Sequence, residues 1–292
     1  MSPSRFKAPW NERSGRFSWL KAVVFAGLFV PAAWIVFLAA TGALDPKVVT
    51  EMIHRTGQWA IRFLLLSLLV TPLMRGARYP KLVAIRRMVG VAAFFYVCAH
   101  LTLYVVDQHF ALLHAASEIA LRFYLTIGFL TWLGLAALAA TSTDAMIKRL
   151  GPKWRTLHSM VYGLAVLGLL HFMIQAKADV SEPVMMTGFF AILMLFRAFV
   201  KRGVSAWVAA SAAAVASPLI AALVEASWYA LVRHINFWEV ISANVDPDMA
   251  FRPSAYVAAA GAAFVVVALL RRSPAPRRSA VLTARPAPSA SR

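Results

Sequence analysis

Three histidines stand inside apolar runs of helix length: His100, His158 and His171. An ionisable side chain at membrane depth is costly to bury, so its default reading is functional. Neutral imidazole is a frequent metal ligand and a frequent axial ligand of haem iron. His158 and His171 lie thirteen residues apart in one run, a helical rise of about 20 Å within a hydrocarbon core of roughly 30 Å. Imidazoles at two depths, facing imidazoles on another helix, can carry electrons between the two faces of a membrane. Thirteen residues of straight helix also turn the second ring roughly 140° from the first. The two rings therefore face different neighbours, or the helix is irregular between them.

The elements that must position these residues are membrane helices. The chain has 292 residues, of which 61% are hydrophobic, with a mean hydropathy of +0.68; a soluble domain is not that apolar. Eight spans are expected, at roughly 20–40, 57–74, 86–106, 122–140, 154–176, 183–199, 204–232 and 254–270. The seventh is Ala-rich and contains Pro218, which leaves its limits open. The division expected is a basic N-terminal segment (1–19), a six-helix core (20–202), a two-helix C-terminal hairpin (203–272) and a disordered tail (273–292) rich in Pro, Ala, Ser and Arg. The fold class is all-α, a polytopic transmembrane bundle.

The net charge of +18 does not form a nucleic-acid patch. Twenty-three of the 30 basic residues fall in the N-terminus, in the loops after spans two, four and six, and in the tail, where Glu12 and Asp144 are the acids. Asp45, Glu51, Asp107, Glu118, Asp179 and Glu182 fall on the other side. That asymmetry is the positive-inside pattern, and it places both termini in the cytoplasm. The single cysteine, Cys98, excludes an intrachain disulfide and reads as packing. No glycine-rich phosphate loop is present, so the chain carries no nicotinamide or ATP module of its own. Between spans four and five, Thr141-Ser142-Thr143-Asp144 offers N-caps for a short surface helix, with Gly151 at its C-terminal stop and Pro152 starting the next helix.

Orientation gives depth. His171 lies six residues before Lys177 and His100 seven before Asp107, about 9 and 10 Å inside the outer boundary; Arg62, on span two, is about 9 Å deep. His100 and His171 therefore read as the two axial ligands of one haem, with Arg62 as partner of a haem propionate. His158, three residues past Arg155, reads as part of a second site or as the point where electrons arrive. His114 reads as a loop residue, and His54, His109 and His234 as outer-loop or boundary residues. Glu225, in span seven, is a buried acid without an evident partner and a candidate proton or quinone site.

The runs His54-Arg55-Thr56-Gly57, Arg86-Arg87-Met88-Val89-Gly90 leading to His100-Leu101-Thr102, Thr141-Ser142-Thr143-Asp144-Ala145-Met146, and Trp154-Arg155-Thr156-Leu157-His158 leading to His171-Phe172 resemble the MsrQ (YedZ) family. Those proteins are haem-binding membrane subunits of the periplasmic protein-methionine-sulfoxide reductase system, within the ferric-reductase-like transmembrane cytochromes. The resemblance covers roughly residues 20–200; the two C-terminal spans lie outside the family's common core. It implies haem b on His100, His158 and His171, a basic residue at Arg62, and a link to FMN and quinone. It also implies a flavin reductase or quinone as donor, and electron delivery across the bacterial inner membrane to a periplasmic molybdopterin-containing reductase subunit. The chain itself would be an electron-transfer subunit, with substrate chemistry on the partner. Two other readings compete. One is a ferric or other metal reductase, which an attached flavin and NADPH domain would favour. The other is a transporter or scaffold whose histidines hold no cofactor.

Overall fold

The computed structural model describes residues 8–12, 15–77, 83–246, 248 and 252–270. The expected tail (273–292), residues 1–7 and the loop positions Arg78 and Lys81 lie outside them. The described chain is helical, apart from one isolated bridge between Asn11 and Phe17. Eight helical segments are long and apolar enough to cross a membrane, and they coincide with the eight expected spans.

The first span is two helices, α1 (Trp19–Gly27) and α2 (Val30–Ala40). Pro31 sits in the first turn of α2. The Tyr96 hydroxyl enters the gap between them, donating to the Leu28 carbonyl at 2.8 Å and accepting from the Ala32 N–H at 3.0 Å. A side chain has replaced one rung of the ladder, which is how a helix breaks without leaving buried backbone unpaired. Next come α3 (Val48–Ala77) and α4 (Val83–Asp107), packed along one another. α3 begins nine residues before the expected span, with Glu51 in its first turn, where the helix dipole favours an acid. Pro72 inside α3 deprives the Leu68 carbonyl of its usual donor, and Arg197 Nη2 supplies one at 2.5 Å.

A short helix, α5 (Leu112–Leu121), leads into α6 (Phe123–Ala140). His114, expected in a loop, lies on α5, exposed and outside the spans. Between the fourth and fifth spans the short helix forms as expected: α7 (Asp144–Leu150) is capped by Thr143, whose hydroxyl accepts from the Met146 N–H at 3.2 Å. Gly151 follows at φ 51°, the left-handed region that favours glycine, and Pro152 opens α8 (Pro152–Ser159). The fifth span continues, after an interruption at Met160, as α9 (Val161–Ala176). The Met160 N–H bonds to the Leu157 carbonyl, a 3₁₀-type step. Straight-helix angles therefore do not carry across from His158 to His171.

α10 (Ser181–Lys201) is the shared wall of the molecule. Met186 and Leu193 belong to a core formed with α3, α4, α6 and α9. Val184, Ile192 and Phe196 belong to a second core with α11 (Ala206–Arg233) and α13 (Pro253–Leu270). α11 runs unbroken through Pro218, and Gly261 of α13 lets that helix approach the Ala214 backbone, where a Cβ would meet Cα at 2.9 Å. Small residues allow such contact between membrane helices. α12 (Phe237–Val245) lies between α11 and α13 in the chain.

Candidate functional site: a paired-histidine cavity

His100 on α4 and His171 on α9 face each other, with ring centroids 6.3 Å apart and planes at 88°. Each ring is held by the same device. His100 Nδ1 donates to the Ile53 carbonyl of α3 at 2.8 Å, and His171 Nδ1 donates to the Tyr124 carbonyl of α6 at 2.8 Å. Each of those carbonyls belongs to the residue four before a glycine, Gly57 and Gly128. An added Cβ there would meet the His100 ring at 3.0 Å and the His171 ring at 2.8 Å. The glycines open notches in which the imidazoles lie flush against the neighbouring helix. With Nδ1 as donor, Nε2 is left as the basic nitrogen, the tautomer a metal-ligating histidine requires, and the carbonyl bond raises its basicity.

The two devices are copies offset by 71 residues: Ile53, Gly57 and His100 correspond to Tyr124, Gly128 and His171. The contact separation is 47 residues in both. The repeat is present in the sequence as a glycine 43 residues before each histidine, a spacing that the pairing of His100 and His171 by depth does not use. The same offset carries His158 back to Arg87.

Among the described residues no group of three or more His, Cys, Asp or Glu could hold a bare metal ion. Two imidazoles alone leave most of a metal's positions to be filled by something else, and a planar macrocycle with two axial sites does this. Centroids 6.3 Å apart leave room between the facing rings for imidazole–metal bonds of about 2.0 Å each. The cavity between the rings measures about 390 Å³. Ile61, Leu64, Trp132 and Phe172 give it apolar walls, and His54, Gln58, Tyr104, Gln175, Asp179 and Glu182 are its polar lining besides the two rings. Cys98 receives the Trp132 indole N–H at 3.4 Å from behind the wall.

Arg62 is not on the lining. Its Nη2 bonds Glu182 Oε1 at 2.5 Å, and its guanidinium lies over the Trp59 ring at 4.9 Å. Glu182, which the sequence placed only as an outer acid, is one of two carboxylates lining the cavity, with Asp179.

His158 is separate. Its ring stacks on Trp154 at 3.9 Å, and its Nε2 lies 3.1 Å from the Thr141 hydroxyl. That hydroxyl donates to the Ala137 carbonyl at 2.8 Å, so it accepts from His158 Nε2–H. The ring borders a second cavity, of about 900 Å³, whose lining includes Lys21, Arg86, Arg87, Ser142 and Glu12. Arg87 is ion-paired with Asp144. Leu64 and Leu135 line both cavities, so the two lie back to back through the bundle.

Residues 56–169 match the family described as ferric reductase like transmembrane component. A protein-methionine-sulfoxide reductase heme-binding subunit MsrQ of Xanthomonas oryzae pv. oryzae (strain MAFF 311018) is 38% identical over 188 residues, 62% of this chain and 86% of that protein. Its namesake in Rhodospirillum rubrum is 40% identical over 191 residues, 64% of this chain and 88% of that protein. The chain belongs to the MsrQ family. It is a polytopic membrane protein with a ferric-reductase-like domain, as the sequence motifs implied. No solved structure matches it. The matched region encloses Gly57, His100, Gly128 and His158 and stops two residues short of His171; α11, α12 and α13 lie beyond it.

Proposed function

We propose that the chain is a b-type cytochrome subunit that takes electrons on its inner side and passes them to a partner at its outer face. The partner in this reading is a periplasmic, molybdopterin-containing protein-methionine-sulfoxide reductase, and the membrane is the bacterial inner membrane with both termini cytoplasmic. The observation that carries it is the His100–His171 pair: facing rings 6.3 Å apart, each fixed through Nδ1 on a helix carbonyl. A haem held there would supply one-electron redox chemistry.

The chain's own residues do the rest. Ile53 and Tyr124 fix the tautomers, and Gly57 and Gly128 seat the rings. Arg62 has five donors in its fork, and the Glu182 contact engages one nitrogen, which leaves capacity for a propionate carboxylate. The inner cavity, rimmed by Lys21, Arg86 and Arg87, suits an anionic donor group such as the phosphate of FMN, with a flavin reductase or quinone as the source of electrons. His158 borders that cavity as a ligand of a second site or as a side chain beside the point where electrons enter. The partner's reaction uses two electrons and two protons per sulfoxide and yields thioether and water. α11 and α13 form an appended hairpin on this core.

Purified protein tests the reading through its reduced-minus-oxidised absorbance spectrum and its haem-to-protein ratio. A red preparation with a reversible b-type spectrum is expected. A colourless, folded protein that stays colourless with added haem sinks the proposal and returns the transporter or scaffold reading.

A further inference from the structure

Glu225, the acid that the sequence left without a partner, is fully buried on α11, ion-paired with Arg252 at 2.9 Å and hydrogen-bonded by Asn244 at 2.9 Å. A carboxylate taken out of water persists when it is matched in this way. Polar side chains that do lack a partner line the histidine cavity.

The polar lining of that cavity divides into two groups. Thr131 donates to the Ile127 carbonyl at 2.9 Å, Trp132 to Cys98 at 3.4 Å, Arg62 to Glu182 at 2.5 Å, and the Ser181 N–H to Asp179 at 2.9 Å. Gln58 on α3, Tyr104 on α4 and Gln175 on α9 are half-buried and line the same space, yet they make no side-chain hydrogen bond among the described residues. His54 makes none either, and it is exposed. Amide and phenol groups at a largely apolar cavity are left unmatched until a ligand or water completes them.

Their placement follows the histidines. Tyr104 comes four residues after His100, and Gln175 four after His171, so each lies about one helical turn along the same face. Gln58 follows Gly57, the seat of the His100 ring. The lining itself repeats at the 71-residue offset. Ile61 and Trp132, Leu64 and Leu135, and Leu101 and Phe172 are matched apolar pairs, and Tyr104 matches Gln175. The match fails in character beside the two glycines. His54 and Gln58 in the first half stand where Leu125 and Phe129 stand in the second. Haem b is unequal in the same sense, with both carboxylates on one edge and hydrocarbon around the rest. Among the described residues no lysine or arginine lines the cavity, and Arg62, off the lining, is bonded to Glu182. A carboxylate entering this space meets neutral donors.

We infer that Gln58, Tyr104 and Gln175 bind the carboxylates of the haem, donating through their amide N–H and phenol O–H groups, while Leu125 and Phe129 face its hydrocarbon. The assignment rests on the haem reading above and names the part of the cavity that recognises the polar edge of the cofactor. Hydrogen bonds to a charged acceptor are the strong ones, so neutral donors suffice to hold it.

The test titrates full-length protein, prepared without haem and held in detergent, with haem b and with its dimethyl ester. The ester keeps the ring and the iron and loses both negative charges. Binding is followed through the low-spin absorbance that His100→Ala abolishes. The parent, Gln58→Leu/Gln175→Leu, Tyr104→Phe and Phe129→Leu are compared by the ratio of the two dissociation constants, in which any general weakening of the fold cancels. The parent is expected to prefer haem over the ester by at least about tenfold, the double variant to lose about tenfold of that preference, Tyr104→Phe about threefold, and Phe129→Leu none. An unchanged ratio in the double variant, or an equal fall in Phe129→Leu, overturns the assignment; an unchanged ratio in Tyr104→Phe strikes Tyr104 from it. Equal weakening of both ligands in the double variant also overturns it, because the side chains then only shape the cavity. A parent that binds both ligands equally well overturns the assignment and leaves the haem reading standing. A parent that binds neither overturns the haem reading itself, and the assignment with it.

Discussion

The His100–His171 pair and His158 are built on opposite principles. His100 and His171 are each clamped through Nδ1 and seated on a glycine, and they line a cavity of about 390 Å³. His158 has its Nε2 engaged by Thr141, its face on Trp154, and a cavity of about 900 Å³ beside it rimmed with cations. The internal repeat puts Arg87, held by Asp144, where a matching inner ligand would stand. A site that must hold one group in one geometry is preorganised by its second shell. A site that must admit a partner or donor is roomier and charged. The difference teaches that the three histidines are not equivalent.

The comparison breaks most visibly at the ligands. His100→Ala and His171→Ala should each abolish the outer haem, since losing either axial ligand unanchors the iron; His158→Ala should keep that haem while slowing its reduction by an inner-side donor. Absorbance spectra and stopped-flow reduction of the three variants check this.

The glycine notches sharpen it. Gly128→Ala places a Cβ 2.8 Å from the His171 ring and Gly57→Ala one 3.0 Å from the His100 ring. Overpacking of this kind costs about 1–3 kcal/mol, so both variants should lose haem occupancy on mild heating, Gly128→Ala more. Gly163→Ala, where an added Cβ meets nothing within 4 Å, serves as the control. Equal haem retention in all three would show that the notches do not seat the rings.

Removing the hairpin should have a smaller effect. A chain ending near Gly203 loses the second core, but Val184, Ile192 and Phe196 would then face lipid rather than water, and lipid is as apolar as the helices it replaces. Haem binding is expected to survive with a lower thermal midpoint. Loss of the haem from a shortened protein that still accumulates in the membrane would make α11 and α13 part of the cofactor scaffold.

The smallest effect belongs to Arg62→Leu. Removing a half-buried cation that Glu182 already offsets should lower the outer haem's potential by an amount on the order of 1 kcal/mol per electron. A redox titration indistinguishable from the parent would confine Arg62 to its pairing with Glu182.

Much of this was legible in the sequence. Hydropathy and loop charge gave the eight spans, because a bilayer imposes its thickness on every crossing helix. The Thr143 cap and Gly151 stop of α7 were readable because they depend on local backbone chemistry alone. The pairing of His100 with His171 followed from depth. The rest depends on contacts between distant residues, which no local pattern records. Tyr96 entering the break at Leu28, Arg197 serving the carbonyl that Pro72 leaves free, and Arg252 pairing with Glu225 are all of that kind. Arg62 shows the limit from the other side: its depth was readable, whereas its engagement by Glu182 was not.

The crossed imidazoles give the most direct measurement. Planes at 88° on one ferric haem should yield a strongly anisotropic low-spin signal in the electron paramagnetic resonance spectrum of the oxidised protein. That signal should vanish in His100→Ala and in His171→Ala and persist in His158→Ala. A low-spin signal that survives either of the first two substitutions, or disappears only with His158→Ala, would contradict the assignment of the outer pair as the ligands of one haem.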